Sequence, residues 1–152
     1  MGHILEQLKT VVGKPVRDHT PSPMGAWLDG ILESAEEGQL SVSYLVRSEM
    51  TNPAGILHGG AVATMLDDIM GMTVYSLGRD AFFATINLSL DFLGTAKVGE
   101  KVIARSQVVK AGRSVVFMAA QLENESGKVL AKSSSNLVNS SYSYTKEKPN
   151  EL

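Results

Sequence analysis

The sequence predicts an α+β protein in which one long helix packs against one antiparallel sheet. A mostly apolar run from about residue 59 to 76 has the length of a helix. Several shorter segments alternate apolar and polar residues with the period of two that strands require. Turn residues separate the later strand segments, so neighbouring strands are expected to run antiparallel.

The first part of the chain supplies a short helix and two strands. Apolar residues in segment 2–12 fall on one stripe, which predicts an amphipathic helix that ends at Gly13 and Pro15. Strict alternation after Gly38 predicts a half-buried strand. The predicted elements are helix 2–12, strand 26–32, an acidic turn over 33–38, and strand 40–46.

Everything after the long helix is predicted as strand. The turns Ala111–Arg113 and Asn124–Gly127 connect the last three segments as hairpins. The predicted strands are 84–93, 101–110, 114–123 and 128–139, arranged as a meander. Residues 1–140 therefore form one domain, and the polar segment 141–152 is expected to fray.

Composition excludes several functional classes. Of the 152 residues, 43% are hydrophobic, which is enough for a core without disulfides, and the absence of cysteine excludes thiolate chemistry. A net charge of -2 without a basic stripe argues against nucleic acid as a partner. The most apolar window, 54–77, contains two aspartates, so no membrane span is predicted. With no leader pattern at the N-terminus, we expect a cytoplasmic protein.

Two adjacent carboxylates in the long helix need an explanation, because burying an unpaired charge is costly. Asp67 shares its helix face with Ala63, Thr64 and Gly71, whose small side chains let a ligand or another backbone approach. Asp68 either faces solvent, caps another element or takes part in the site. The face around Asp67 is the predicted contact surface.

The segment His58-Gly59-Gly60 stands where the long helix begins. Free N–H groups and the positive end of the helix dipole point forward from that position, and glycine lets a substrate approach the backbone. A carbonyl that gains negative charge during acyl transfer could accept a hydrogen bond there. The alternative is an ordinary tight helix start with His58 as the cap. Because Gly59 and Asp67 are separated by roughly 12 Å of helix, one reaction using both requires two subunits.

The segment from Thr51 to Asp67, TNPAGILHGGAVATMLD, resembles the signature of hotdog-fold acyl-CoA thioesterases. Its nearest likeness is to the phenylacetate-pathway (PaaI-like) branch of the 4-hydroxybenzoyl-CoA thioesterase superfamily. The resemblance continues through the strand 84–93 into GTAKVGE at 94–100, where Thr95 replaces the usual proline. It covers roughly residues 26–138. The fold it implies is a helix wrapped by a curved antiparallel sheet, paired into a homodimer and often doubled into a homotetramer.

The resemblance also implies roles for individual residues. Asp67 matches the carboxylate that acts on the thioester carbonyl as general base or nucleophile. Gly59 matches the N–H that polarises this carbonyl from the neighbouring subunit. Asn52 and His58 match positions that orient water and thioester, and Thr85 matches a Ser or Thr that places the nucleophile. No metal and no cofactor are implied, since CoA enters only as part of the acyl-CoA substrate.

For substrate binding the sequence leaves more open. Asp68 stands where relatives often carry Asn or Thr. Arg113 occupies a hairpin position where relatives frequently have Arg or Lys, and it would either hold a CoA phosphate or simply be an exposed arginine. Gly60, at the same helix start as Gly59, is also expected to contact the substrate. The side chains expected to set the width of the acyl pocket are Leu57, Met65, Met70, Phe82 and Phe83.

Two other functions compete with thioester hydrolysis. Hotdog domains also serve as non-catalytic acyl-CoA-binding modules, although here the residues matching the catalytic set are all present. A hotdog dehydratase would need an Asp-x-Asn-x-x-His motif, which the sequence lacks. The acyl group itself is left undetermined; an aryl-acetyl or a medium- or long-chain group fits the resemblance.

Overall fold

The computed structural model describes residues 2–142. The helices are α1 (Gly2–Val11), α2 (Pro23–Leu28) and α3 (Gly59–Tyr75), with 3-10 turns at Val16–Asp18 and Ser48–Met50. The strands are β1 (Ile31–Glu36), β2 (Gln39–Leu45), β3 (Phe83–Phe92), β4 (Lys101–Ala111), β5 (Val115–Asn124) and β6 (Val129–Asn139). The predicted frayed tail lies outside the described residues from position 143 onward. No helix within residues 2–142 has the length and apolar character to span a membrane.

All six strands form one antiparallel sheet in the order β1-β2-β4-β5-β6-β3. The predicted meander is right for β4, β5 and β6 but wrong for β3, which pairs with β6 at the far edge. The reason is the connection. α3 carries the chain across one face of the sheet before β3 begins, and no tight hairpin joins β3 to β4.

The long helix is the centre of the core, as the sequence predicted. α3 packs against β2, β3, β4, β5 and β6. Leu66, Ile69 and Met70 are each 0% exposed. Burying one such side chain contributes about 1.5–3 kcal/mol. The α+β fold with a sheet wrapped around one helix and a short N-terminal helix is confirmed.

The predicted strand over 26–32 is wrong, because the first half of that segment belongs to helix α2. Ser22 is the N-cap: its Oγ accepts a hydrogen bond from the Gly25 N–H at 3.0 Å, and Pro23 occupies the first helical position. Asp29 ends the helix with a left-handed φ of 53°. Strand β1 therefore begins only at Ile31 and runs through most of the segment predicted as a turn.

Strand β3 lies at the edge of the sheet and departs from the expected alternation. Its pairing with β6 shifts by one residue between Thr85 and Asn87, which forms a bulge at Ile86. Ile86 and Phe92, two apolar residues that alternate with polar ones along this strand, are 59% and 57% exposed. One edge of β3 has no neighbouring strand within residues 2–142.

Candidate active site

Asp67 lies on the side of α3 that faces β3, and Thr85 holds its carboxylate. The Thr85 Oγ1 donates a hydrogen bond to Asp67 Oδ1 at 2.7 Å. The bulge at Ile86 follows Thr85 directly, and bulges commonly re-aim a neighbouring side chain. Because a carboxylate accepts through both oxygens, the second oxygen of Asp67 can act on another molecule.

Asp67 opens onto a mostly apolar cavity of about 600 Å³. One wall is the segment Thr20–Pro23, which leads into the first residue of α2 and which we call the strap. The opposite wall comes from α3 and the start of β3. The other lining residues are Asp67, Asp68, Gly71, Met72, Tyr75, Phe82, Phe83, Ala84, Thr85, Leu137 and Tyr142. The strap and Tyr75 were not predicted as site residues, although Ser22-Pro23 is a recognisable helix start.

Of the five residues expected to set pocket width, the structure places two on this cavity. Phe82 and Phe83 line it. Met65 and Met70 are fully buried, and Leu57 is only 7% exposed, so these three side chains belong to the hydrophobic core. A substrate-binding role for Leu57 stays a prediction.

Asp68 points to α2 rather than to β3. Ser22 Oγ donates a hydrogen bond to Asp68 Oδ1 at 3.1 Å. A Cβ added to Gly25 would lie 3.0 Å from Asp68 Oδ2, so the carboxylate rests closely against that glycine. Burial raises the pKa of Asp68, and the charge of Asp67 raises it further, whereas the Ser22 hydrogen bond opposes both. Burial, with the charge of Asp68 as a smaller cause, also raises the pKa of Tyr44.

His58 caps α3, and its ring determines which N–H group of the helix start stays free. His58 Nδ1 accepts a hydrogen bond from the Gly60 N–H at 2.8 Å. The Gly59 N–H has no acceptor among residues 2–142. Phe92 packs against Gly59, since an added Cβ would lie 3.2 Å from its ring. The capping interpretation of His58 is thus confirmed, while its role toward substrate stays a prediction.

Asn52 shapes the loop that leads to His58. Its Oδ1 accepts hydrogen bonds from the Ala54 N–H at 3.0 Å and the Ile56 N–H at 3.4 Å. This arrangement uses the carbonyl end of the side chain within the loop and leaves the amide nitrogen as the donor that could reach a substrate.

The helix start opens onto a second cavity, distinct from that of Asp67. His58, Gly60 and Thr64 line it together with Met24 and Trp27 of α2. Pro23 contributes to both cavities, so α2 stands between them. Within one chain, the helix start and Asp67 therefore face different spaces, in agreement with their separation along α3.

Arg113 is exposed in the β4–β5 turn and shares a cavity of about 460 Å³ with Arg79. Arg79 Nη1 donates a hydrogen bond to the Gly112 carbonyl at 2.6 Å, and its guanidinium lies 5.4 Å from the ring centre of Phe83. Phe83 also lines the Asp67 cavity, so the two spaces adjoin at this ring. Asp80 is the acidic residue in the arginine cavity.

Within residues 2–142, no three His, Asp or Glu side chains are grouped closely enough to hold a metal ion. The polar elements at the site are a hydroxyl-supported carboxylate, a free N–H at a helix start and two arginines.

The central helix wrapped by one antiparallel sheet, with Asp67 beside an apolar cavity, is the arrangement that the resemblance to hotdog-fold thioesterases implied. The family model described as the thioesterase superfamily matches residues 54–131. The chain belongs to this superfamily.

Individual relatives agree with this assignment. Acyl-coenzyme A thioesterase 13 of Homo sapiens is 33% identical over 101 residues, which cover 66% of this chain and 72% of that protein. The zebra fish thioesterase superfamily member 2 is 26% identical with a TM-score of 0.76, covering 90% of this chain and 98% of that one. The E. coli PaaI protein from the phenylacetic acid degradation operon has a TM-score of 0.79 at 19% identity, covering 94% and 98%, and this likeness bears on the fold.

Proposed function

We propose that the protein hydrolyses an acyl-CoA thioester to the free carboxylic acid and CoA, with Asp67 as the working carboxylate. The observation that carries the proposal is the Thr85–Asp67 hydrogen bond at the wall of an apolar cavity. The likeness of this chain to acyl-coenzyme A thioesterase 13 supports acyl-CoA as the substrate class. Asp67 takes this role rather than Asp68, which accepts from Ser22 through Oδ1 and rests closely against Gly25 through Oδ2.

Two routes use the same atoms. As a general base, Asp67 takes a proton from water while the water oxygen attacks the carbonyl carbon; the C–S bond then breaks and CoA leaves as the thiolate. As a nucleophile, Asp67 attacks the carbonyl itself, CoA leaves, and water hydrolyses the resulting anhydride. Both routes produce one acid and one thiol from one water. Incorporation of ¹⁸O into Asp67 after a single turnover in ¹⁸O-water would establish the anhydride route, because only attack of water on the Asp67 carbonyl of the anhydride can put it there.

The carbonyl oxygen is held by the Gly59 N–H of a second copy of the chain. That N–H stands at the positive end of α3 and has no acceptor in the described part of the chain, so it is available as an oxyanion donor. Within one chain, Gly59 does not line the Asp67 cavity, and its neighbours His58 and Gly60 line a different one. Asn52 and His58 belong to the same side as Gly59 and would orient water and thioester from there.

The free edge of β3 supports this assembly. An unpaired edge strand with exposed apolar side chains is a ready surface for pairing with another strand, and Ile86, Phe92 and Leu93 are 57–59% exposed along it. A two-fold axis across this edge would give a homodimer with two shared sites, and pairing of dimers would give the homotetramer. Analytical ultracentrifugation of wild type and Ile86→Lys tests the edge: the variant should shift toward monomer.

The acyl group occupies the cavity beside Asp67. A volume of about 600 Å³ lies within the range of about 300–1,000 Å³ that is usual for small-ligand pockets. Met72, Tyr75 and Phe82 make its lining suited to an apolar chain or an aryl ring. An aryl-acetyl or a medium- or long-chain acyl group is therefore the expected substrate.

The CoA end leaves this cavity past Phe83, and its phosphates bind Arg113 and Arg79. Guanidinium groups form charge-assisted hydrogen bonds with phosphate oxygens. Arg113→Ala should raise KM for acyl-CoA but leave KM unchanged for the same acyl group on N-acetylcysteamine, which has no phosphate. Arg105→Ala is the matched control, since Arg105 pairs with Glu123 on the sheet. An equal KM rise for both thioesters would contradict the phosphate contact.

The decisive experiment is CoA release from a panel of aryl-acetyl- and fatty-acyl-CoAs by wild type, Asp67→Asn and the control Asp18→Asn. We expect Asp67→Asn to lose turnover and the control to keep it. Unchanged turnover in Asp67→Asn would refute the assignment, and tight binding without turnover by wild type would favour a binding module. Turnover that survives chelator treatment would support the proposed absence of a metal cofactor.

The shared site has its own test. An Asp67→Asn chain and an Asn52→Ala chain are mixed, and subunit exchange is verified by mass. One of the two sites in each heterodimer would then be intact, so a heterodimer should have about half the activity of a wild-type dimer. Since random exchange of an equimolar mixture makes about half of the dimers heterodimers, the mixture should recover about a quarter of wild-type activity. Absence of recovery despite exchange would place the whole site within one chain.

A further inference from the structure

We propose that Asp68 is a positioning residue that holds the strap against α3, and that this contact sets the selectivity of the cavity for acyl groups. The inference rests on the proposed thioesterase function for its kinetic part. It concerns a carboxylate that the hydrolysis described above does not use.

The strap is organised around one hydroxyl group. Ser22 Oγ donates to Asp68 Oδ1 at 3.1 Å and accepts from the Gly25 N–H at 3.0 Å. The Ser22 N–H in turn donates to Thr20 Oγ1 at 3.1 Å. The Ser22 hydroxyl that caps α2 is thus the same group that donates to the Asp68 carboxylate.

Close packing between Gly25 and Asp68 accompanies the hydrogen bond from Ser22. Gly25 is buried, and a Cβ at this position would stand 3.0 Å and 3.3 Å from the two Asp68 oxygens. A Cβ at position 25 would therefore require the Asp68 carboxylate or the start of α2 to shift by a few tenths of an ångström. At its other end α2 is held by Arg47, whose guanidinium donates to the carbonyls of Leu28 at 3.0 Å and Trp27 at 2.5 Å. Asp68 and Arg47 fix opposite ends of one short helix.

The position of the strap matters because it forms a wall of the acyl cavity. Thr20, Pro21, Ser22 and Pro23 all line the space onto which Asp67 opens. The reacting carbonyl must stay beside Asp67, so only an acyl group that extends away from it can contact this wall. Loss of the Asp68 contact should therefore weaken binding of long acyl groups more than binding of acetyl.

The kinetic test compares decanoyl-CoA with acetyl-CoA. Asp68→Ala and Ser22→Ala should lower the ratio of their kcat/KM values roughly tenfold through KM for decanoyl-CoA, which is the order of effect of a misfitting apolar wall. Asp68→Asn keeps an oxygen that accepts from Ser22 and should keep the ratio within about twofold. Ser126→Ala is the control, since its Oγ also donates one hydrogen bond, to Asn124 Oδ1 in the β5–β6 turn.

A uniform fall in kcat on both thioesters, shared by Asp68→Asn, would overturn the proposal and place Asp68 in the chemistry. If Asp68→Ala lowered kcat/KM equally for both thioesters and Asp68→Asn restored it, the contact would support the structure without setting selectivity. That result would refute the selectivity part of the proposal.

Amide hydrogen exchange of residues 20–28 tests the strap independently of any activity. Exchange in this peptide should rise roughly tenfold in Asp68→Ala, the equivalent of one net hydrogen bond, and should stay near wild type in Asp68→Asn and Ser126→Ala. If wild type cleaves no thioester, the proposed function fails while this measurement still decides the Asp68–strap contact. Unchanged exchange in Asp68→Ala would refute that contact.

Discussion

Replacing Thr85 by Val removes the hydroxyl that holds Asp67 while it preserves the shape and β-branching of the side chain. The lost bond is 2.7 Å long and joins a hydroxyl donor to a carboxylate. Hydrogen bonds to charged groups contribute about 1.5–3 kcal/mol, and the solvent access of Thr85 favours the lower end of this range. If the bond orients Asp67 in the transition state, about 1.5 kcal/mol corresponds to a roughly tenfold fall in kcat.

The assay is steady-state release of CoA thiol from decanoyl-CoA. Thr85→Ser retains the donor and should keep kcat within about threefold of wild type, because only a methyl group is lost. Thr10→Val is the matched control, since Thr10 Oγ1 donates to the Gln7 carbonyl at 2.6 Å on α1, away from the cavity. Wild-type kcat in Thr85→Val, together with an inactive Asp67→Asn, would refute the view that this bond positions the carboxylate. A change confined to KM would assign Thr85 to substrate binding instead.

Three further predictions concern stability. Gly30→Ala should lower the free energy of unfolding by about 1–3 kcal/mol, because its Cβ would stand 2.5 Å from Val42 and 2.7 Å from the Tyr44 ring; urea denaturation measures this. Ile69→Ala should cost about 2–5 kcal/mol in the same assay, since Ile69 is 0% exposed. The pKa of Asp68 is raised in the folded state, so its stabilising contribution is full in acid and is lost as pH rises above about 4. Denaturation of Asp68→Asn and wild type from pH 4 to 7 should therefore show the variant gaining relative stability with pH.

The sequence was sufficient for the parts of the fold that depend on long, regular patterns. The apolar run 59–76 and the hairpins between β4, β5 and β6 are local signals, and all of them are confirmed. The placement of β3 beside β6 follows from tertiary structure, because it depends on α3 crossing the sheet between β2 and β3. The segment 26–32 was misassigned because its apolar residues suit a strand, whereas the N-cap Ser22 and Pro23 lie just before it.

The site shows the same division. The sequence singled out Asp67 and, through resemblance, Thr85, and the structure brings these two into contact. It could not find the strap, because Thr20–Pro23 reaches the cavity only when α2 docks on α3. It also could not decide whether His58 caps the helix, since the choice depends on the direction of the imidazole ring.

Asp67 and Asp68 have different neighbours because successive residues of a helix point about 100° apart. Asp67 meets a hydroxyl from an edge strand and an open apolar cavity, so its carboxylate stays available to a substrate. Asp68 meets the buried start of α2 and lies near Tyr44, where burial favours the proton and the Ser22 hydroxyl occupies an oxygen. Under the two proposals made above, the Asp67 carboxylate acts on the substrate, and the Asp68 carboxylate holds the strap that forms a wall of the same cavity.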